Sequence, residues 1–442
     1  MKYNYRIITN MRIHILGICG TFMAGLAQIL KESGHDVSGS DIQFYPPMSY
    51  YLGSLNIKTS KGYKKDSLPK ADLYVIGNAI SRGNDCVEYI LENNLPHTSG
   101  PEILGRELKN RKVYAISGTH GKTTTSYMLA HIFSKIGKDI GYLIGGMSKN
   151  FDDPAKLGTD QIFVIEADEY DSAFFDKRSK FIHYNPTNLI INCIEFDHVD
   201  IFDDIKDIRK QFNHLIKTIK KSGNVIYFKD DHNSAKVIEN GIWCNNIIIN
   251  SDEIATNFSK RELIYDEITY SLDSLPLIGG HNFKNYVCAI VAARLENISI
   301  EESIKALMSF EGVKRRMDKI AEISGVKIFD DFAHHPTAIR LSTSALKDNY
   351  PDKKILGILE LGSNTMSSGF HKEDLLNSLA SLDQTLILDH KNVYTQDNIF
   401  NDLDCLLSNI KDTIIDYDII LIMTNRDSQK FTKPLMSYLE SK

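Results

Sequence analysis

The sequence is poor in cysteine: Cys19, Cys86, Cys193, Cys244, Cys288 and Cys405 are spread over 442 residues with no C-x-x-C pair. That spacing speaks against a structural zinc or a dithiol redox site and predicts reduced thiols in the cytoplasm. The chain also lacks an excess of positive charge. With 51 Lys and Arg against 57 Asp and Glu its net charge is −6, so neither nucleic acid nor an anionic membrane is drawn to the surface as a whole. No segment reaches the roughly 18 uninterrupted apolar residues that span a bilayer. The nearest imitation is the start, where Lys2, Arg6 and Arg12 lead into an apolar stretch ending at Leu30. His14, Thr21, Gln28 and three glycines interrupt it, and no small-residue cleavage site stands out, which speaks against a secretory leader. Repeats and low-complexity tails are absent as well.

What remains has an ordinary globular composition, 42% hydrophobic and 24% charged. At roughly 150 residues per domain its length predicts about three domains. Short apolar runs at Arg12–Leu16, His35–Ser38, Leu73–Ile76 and Val113–Ser117 are each followed by glycine-containing turns, and helical periodicity over Thr21–Ser33 separates the first two. This rhythm predicts an α/β fold with parallel sheets and crossover helices. Strands at Phe163–Ile165 and Leu189–Ile194 each run into an acidic cluster, and a polar stretch follows from about Asp230 to Asp273. After Gly280 a helix with small residues precedes a further unit with strands at Val326–Phe329, Ile355–Leu359, Thr385–Leu388 and Ile419–Met423, the connection falling near Gly312–Asp318. The expected units are residues 1–110, 111–314 and 315–442.

The sharpest local pattern is Ser117-Gly118-Thr119-His120-Gly121-Lys122-Thr123-Thr124, between an apolar strand and a helix. Backbone amides of such a turn and the helix N-terminus converge on phosphate oxygens. Lys122 is expected to neutralise the β- and γ-phosphates and Thr123 to ligate Mg²⁺. The usual first glycine of a phosphate loop is replaced by Ile116, so the generic pattern is not met.

Glu166-Ala167-Asp168-Glu169-Tyr170-Asp171 places four carboxylates in six residues at a strand end. They repel one another unless a cation or solvent intervenes. Glu166 is the expected metal ligand, whereas Asp168, Glu169 and Asp171 fit a solvated loop equally well. Glu195-Phe196-Asp197-His198-Val199-Asp200 also follows a buried strand. All three loops are expected at the carboxyl edge of one sheet, where ligands bind in such folds, with His198 a candidate for a second metal.

Together these segments resemble the Mur ligases, the ATP-dependent family that adds amino acids or peptides to the UDP-linked sugar precursor of the bacterial cell wall. The resemblance runs through GICGTFMAGLA (17–27), GTHGKTTT (118–125), EADEYDSAFFDKRSKF (166–181), EFDHVDIFDD (195–204), GGHNFKN (279–285) and DDFAHHPT (330–337). It implies three domains: a Rossmann-like N-terminal unit, a central phosphate-loop ATPase-like unit with a parallel sheet, and a Rossmann-like C-terminal unit. SAFFDKRSKF, SNTM (363–366) and YPPMS (45–49) resemble the branch that joins the murein tripeptide L-alanyl-γ-D-glutamyl-meso-diaminopimelate to UDP-N-acetylmuramate in peptidoglycan recycling. The L-alanine-adding branch shares the other motifs.

The resemblance implies that Gly118, Thr119, His120, Gly121, Lys122, Thr123 and Thr124 hold ATP, with His281, Asn282 and Asn285 on its adenine side. Thr123, Glu166 and His198 would hold Mg²⁺. Lys122, His198, Arg315 and Arg316 would serve catalysis, with Asp331 and His334 closing from the third unit. Gly17, Gly20, Thr21 and Asp41 would receive the UDP moiety, and Ser363, Asn364 and Thr365 the peptide. Bland roles compete: Asn282 also fits a helix cap, adjacent arginines fit surface charge, His335 before Pro336 fits a turn, and Gly17-x-x-Gly20 fits a structural turn or a dinucleotide oxidoreductase. Three departures stand out. Lys210-Gln211-Phe212-Asn213 occupies the stretch where many members carry a carbamylated lysine. Leu361-Gly362 replaces a proline and arginine, and Arg426-Asp427-Ser428-Gln429 replaces a glycine-rich loop. The expected partners are small molecules, with no nucleic acid and no membrane, on a monomer or weak homo-oligomer. The alternatives are the L-alanine ligase and a non-catalytic nucleotide-binding regulator.

Overall fold

The apolar runs become strands of three sheets in a computed structural model that describes residues 10–44, 48–197, 201–362, 364–367, 369 and 372–441. The first sheet holds β1 (Arg12–Leu16), β2 (Asp36–Asp41), β3 (Lys58–Lys61), β4 (Leu73–Ile76) and β5 (His97–Ser99), parallel throughout in the order β3-β2-β1-β4-β5. Helix α1 (Thr21–Glu32) follows β1 and buries Met23, Leu26, Ile29 and Leu30. β2 extends three residues beyond the expected end at Ser38, because Gly39 lets it lie flush on the turn: a Cβ there would come within 2.8 Å of the Ile15 carbonyl oxygen.

The central unit contributes β6 (Lys112–Ser117), β7 (Gly141–Leu143), β8 (Ala155–Lys156), β9 (Ile162–Glu166), a small hairpin of β10 (Asp171–Ala173) and β11 (Asp176–Ser179), then β12 (Asn188–Ile191), β13 (Asn224–Phe228) and β14 (Asn245–Ile249). Its seven-stranded sheet has the order β14-β13-β12-β6-β9-β7-β8, with β8 antiparallel. β6 therefore lies between β12 and β9, and the chain leaves it toward opposite sides of the sheet. That is the topological switch point at which a ligand crevice opens. Helix α2 (Lys122–Lys135) follows β6, and α3 (Gly280–Arg294) packs beside it.

The polar stretch holds more order than its composition implies: β14 and an antiparallel sheet of β15 (Ile254–Asn257), β16 (Glu262–Tyr265) and β17 (Ile268–Ser271). The third unit carries β18 (Asp318–Ile323), β19 (Val326–Asp331), β20 (Ile355–Glu360), β21 (Gln384–Leu388), β22 (Ile399–Phe400) and β23 (Ile419–Met423). They are ordered β18-β19-β23-β20-β21-β22, with only the β18–β19 pair antiparallel. Helix α4 (Pro336–Asn349) follows β19.

One apolar cluster runs from Ile13, Leu26 and Leu30 to Phe163, Ile165 and Leu189 on the central sheet, so the first two units share a core. The other face of the central sheet packs on α2 and α3 through Tyr114, Phe133 and Tyr286. The third sheet has separate clusters on its two faces. No described helix is long and apolar enough to cross a membrane.

Candidate active site

Because β12, β6 and β9 are neighbours, the loops at their carboxyl ends meet as expected. A cleft of about 860 Å³ opens above them, walled by Gly20 and Thr21 of the first unit, the phosphate loop and α3 of the second, and the β19–α4 turn of the third. That size suits a nucleotide with room for a second substrate.

Three helices point their N-termini at this cleft, and each begins at a glycine with no capping side chain: α1 at Gly20, α2 at Gly121 and α3 at Gly279. Several helices elsewhere are capped, by Asn84, Ser99, Asp204, Ser299 and Asp402, although the helix Gln429–Glu440 is not. Uncapped N-terminal amides with the positive end of the helix dipole favour an anion.

The phosphate loop is fixed by close backbone approach. Gly118 has φ +118°, and a Cβ on it would meet the Cys193 carbonyl oxygen at 2.6 Å; Gly121 has φ +79°, and a Cβ there would meet Asn285 Oδ1 at 2.4 Å. No side chain larger than hydrogen fits at either place. Thr119 N donates to Cys193 O at 2.8 Å, and Asn192 Nδ2 donates to Thr125 Oγ1 at 3.0 Å. Sequence alone does not single out Asn192, because Leu189–Ile194 reads as one strand. The strand stops at Ile191 so that Asn192 can turn toward the loop, and its position at the carboxyl edge beside β6 is the signal that could have found it.

Lys122 Nζ lies 3.0 Å from Glu169 Oε2, and Glu169 is buried, not solvated. Burial opposes the lysine's charge, but Glu169, with Asp168 and Glu166, holds the ammonium above its ordinary value. Thr123 Oγ1 donates to Glu166 Oε1 at 3.0 Å, and the other carboxylate oxygen of Glu166 accepts from Gly145 N at 2.8 Å. Burial raises the Glu166 carboxyl against the pull of Lys122. A hydroxyl and a poorly solvated carboxylate side by side form a hard oxygen donor set that fits Mg²⁺. Asp168 pairs with Lys180 at 2.7 Å and Asp171 with Lys177, so neither is simply solvated. His198 and Ser363 lie outside the described residues. Asn364 and Thr365 stand on a short helix, Asn364–Ser367, after β20.

At the start of α3, His281, Asn282 and Asn285 line the cleft. His281 Nδ1 is buried without a hydrogen-bond partner among the described residues, and burial lowers its pKa to about 4, so the ring is neutral and available to a base edge. Asn282 is not the cap: Gly279 takes that place, while Asn282 donates to Ile278 O at 2.8 Å and accepts from Asn285 Nδ2 at 3.2 Å. Thr125 Oγ1 donates to Asn285 Oδ1 at 3.1 Å, which ties α3 to the phosphate-loop helix.

The adjacent arginines separate. Arg316 lines the cleft. Arg315 does not, which corrects its expected place: its backbone has φ +61° and its guanidinium donates to the carbonyls of Thr424 and Arg426 at 2.6 Å each. Gly17 and Asp41 do not line the cleft either. Gly17 N bonds Ser40 O at 2.9 Å, and Asp41 accepts from Cys19 N at 2.9 Å, so they hold the turn that presents Gly20 and Thr21. Asp331 does line the cleft, with its carboxylate accepting from Met317 N, Ala333 N and Ser342 Oγ. His334 beside it donates from Nδ1 to Phe332 O at 2.8 Å, and burial lowers its pKa.

Three family profiles match the chain in succession: the Mur ligase family catalytic domain over residues 12–112, the Mur ligase middle domain over 116–293, and the Mur ligase glutamate ligase domain over 315–424. The chain is 45% identical over 390 residues to a UDP-N-acetylmuramate–L-alanyl-γ-D-glutamyl-meso-2,6-diaminoheptandioate ligase of Haemophilus influenzae, covering 85% of each chain. It is 33% identical over 386 residues to a UDP-N-acetylmuramate–L-alanine ligase of Clostridium kluyveri, covering 84% of this chain and 81% of that one. The crystal structure of a murein peptide ligase from Psychrobacter arcticus superimposes with a TM-score of 0.75 at 35% identity, covering 98% of this chain and 99% of that one.

Proposed function

Because the chain belongs to the Mur ligase family of ATP-dependent amide-forming enzymes, we propose that it joins L-alanyl-γ-D-glutamyl-meso-diaminopimelate to UDP-N-acetylmuramate. The observation that carries this is a single cleft walled by all three units, with Lys122 among uncapped helix N-termini. The tripeptide is favoured over L-alanine by the higher identity to the tripeptide-adding relative, 45% against 33%. Such an enzyme works in the cytoplasm, where it returns tripeptide to the wall precursor in peptidoglycan recycling. The division into units at about Arg111 and Arg315 belongs to the same proposal.

A carboxylate resists an amine because oxide is a very poor leaving group. In the proposed route a muramoyl carboxylate oxygen attacks the γ-phosphorus of ATP, expelling ADP. The tripeptide's amino nitrogen then attacks the acyl carbon, the tetrahedral intermediate collapses, phosphate departs with that carboxylate oxygen, and the nitrogen loses its proton. The chain contributes position and charge. Amides of residues 120–124 and the Lys122 ammonium gather the phosphate oxygens, on a loop that the Thr119 amide ties to Cys193 O, and Arg316 adds a cation from the far wall. His281, Asn282 and Asn285 face the adenine, with Asn285 also bracing α2.

Thr123 and Glu166 would hold one Mg²⁺ and His198 a second, and Mg²⁺ supplies charge neutralisation at the phosphates. Gly20 and Thr21 bind the UDP diphosphate at the α1 N-terminus, on a turn that Gly17 and Asp41 shape. Asp331 and His334 approach from the third unit, and Ser363, Asn364 and Thr365 would serve peptide binding.

Phosphate release tests the assignment. With UDP-N-acetylmuramate and Mg-ATP, dependence on the tripeptide is expected. Dependence on free L-alanine would make the chain the alanine ligase, and dependence on neither would leave a nucleotide-binding regulator. A site built for the tripeptide's extra polar groups discriminates by up to roughly 10⁴-fold.

A further inference from the structure

A second set of side chains meets on the same cleft, and the phosphoryl-transfer route above uses the backbone of one of them, His120, and none of the side chains. His120 comes from the phosphate loop, Glu195 from the loop after β12, and His335 from the third unit, where its side chain caps α4. Among the described residues this is the one group of three histidine, cysteine or carboxylate side chains whose ligand atoms all lie within 4.8 Å of one another. His120 Nε2 stands 3.3 Å from Glu195 Oε2, His335 Nδ1 stands 4.0 Å from the same oxygen, and the two imidazole centroids are 5.2 Å apart.

Those spacings suit a small borderline ion. Tetrahedral zinc with ligand bonds of about 2.0–2.2 Å needs donor atoms about 3.4 Å apart. The His120–Glu195 pair is already at that distance, and His335 reaches it by turning Nδ1 from the Thr337 amide, from which it accepts at 3.3 Å, toward the ion. The backbone beneath is held: Thr119 Oγ1 accepts from Glu195 N at 2.8 Å, so the carboxylate and the His120 ring ride on one rigid surface. Two imidazoles and one carboxylate form a donor set that prefers zinc, cobalt or nickel to magnesium, unlike the all-oxygen pair of Thr123 and Glu166.

We propose that His120, Glu195 and His335 form a binding site for a divalent ion of the zinc or cobalt class, with three protein ligands and an open fourth position on the cleft. An ion there links the phosphate loop to the third unit and holds the cleft shut. Binding of the ion is independent of the assigned ligase reaction and is read without it.

The test uses the full chain and cobalt(II) alone as the probe. Cobalt in a four-coordinate nitrogen and oxygen site gives strong visible bands that hexa-aqua cobalt does not. One equivalent is expected to bind, to be displaced by zinc and to resist excess Mg²⁺. His335→Asn keeps a capping oxygen for α4 and is expected to weaken cobalt binding at least about 100-fold, as is Glu195→Gln. His198→Asn is expected to leave the spectrum intact. Absence of the bands in the native chain, their persistence in both His335→Asn and Glu195→Gln, or their loss in His198→Asn would overturn the proposal.

Discussion

Lys122 Nζ and Glu169 Oε2 form an ion pair of 3.0 Å whose side chains are only 13% and 2% exposed. The cation that would receive a triphosphate is therefore paired in advance with a carboxylate that comes from the loop after β9, and an incoming phosphate must take over that pairing. In Glu169→Gln the ammonium stays buried without its partner, at a cost of roughly 3–5 kcal/mol. A lower melting temperature is expected, together with a larger upward shift on adding Mg-ATP than the native chain shows. Equal nucleotide-induced shifts in the two proteins would contradict a direct exchange of partners.

Lys122→Ala and Glu166→Ala remove charge from the phosphate end of the cleft while leaving the first unit untouched. Each is expected to lower turnover by at least roughly 10³-fold. Calorimetric titration with UDP-N-acetylmuramate should remain nearly unchanged. Substantial turnover in Glu166→Ala would remove that residue from the metal site.

The two neighbouring arginines should give opposite phenotypes. Arg316→Ala takes a cation from the cleft wall and is expected to lower kcat/KM by roughly 10²-fold. Arg315→Ala leaves the carbonyls of Thr424 and Arg426 short of a charged donor, so its loss is expected in stability, by roughly 1–3 kcal/mol, with a smaller kinetic effect. Paired urea melts and steady-state kinetics distinguish the two.

Burial lowers the pKa of His14 to about 4, and burial, followed by Lys135, does the same to His131. Above pH 6.5 both rings are neutral folded or unfolded. As the pH falls from 6.5 toward 4 the unfolded chain takes up protons that the folded chain refuses, so stability is lost across that window, by up to about 3 kcal/mol for each ring. Urea unfolding at pH 8, 6 and 5 should show this slope, and His14→Gln, which can still bond Ser38 and Ser40, should flatten it. An unchanged slope would mean that His14 does not carry it.

Much of the cleft is legible in the sequence because parallel strands announce themselves as apolar runs ending in glycine or acid. The β6, β9 and β12 loops could be read as neighbours from that alone. Glu169 was harder: its run of four acids looks solvated until Lys122 arrives from 47 positions earlier. The Arg315–Arg316 pair is indistinguishable in sequence, since a left-handed backbone at Arg315 decides which side chain faces the cleft. Asp41 reads as a ligand-facing strand end, yet it is turned inward by the Cys19 amide and the Tyr63 hydroxyl. The sheet of β15, β16 and β17 is not legible in the sequence because its strands are mostly half-exposed and polar, with little buried alternation to reveal them.

The most direct measurement follows the oxygen. UDP-N-acetylmuramate labelled with ¹⁸O in both carboxylate oxygens, turned over with tripeptide and Mg-ATP, should release phosphate carrying one ¹⁸O atom, because the carboxylate oxygen that attacks phosphorus leaves with it. Unlabelled phosphate formed alongside amide product would contradict activation of the carboxylate by phosphoryl transfer.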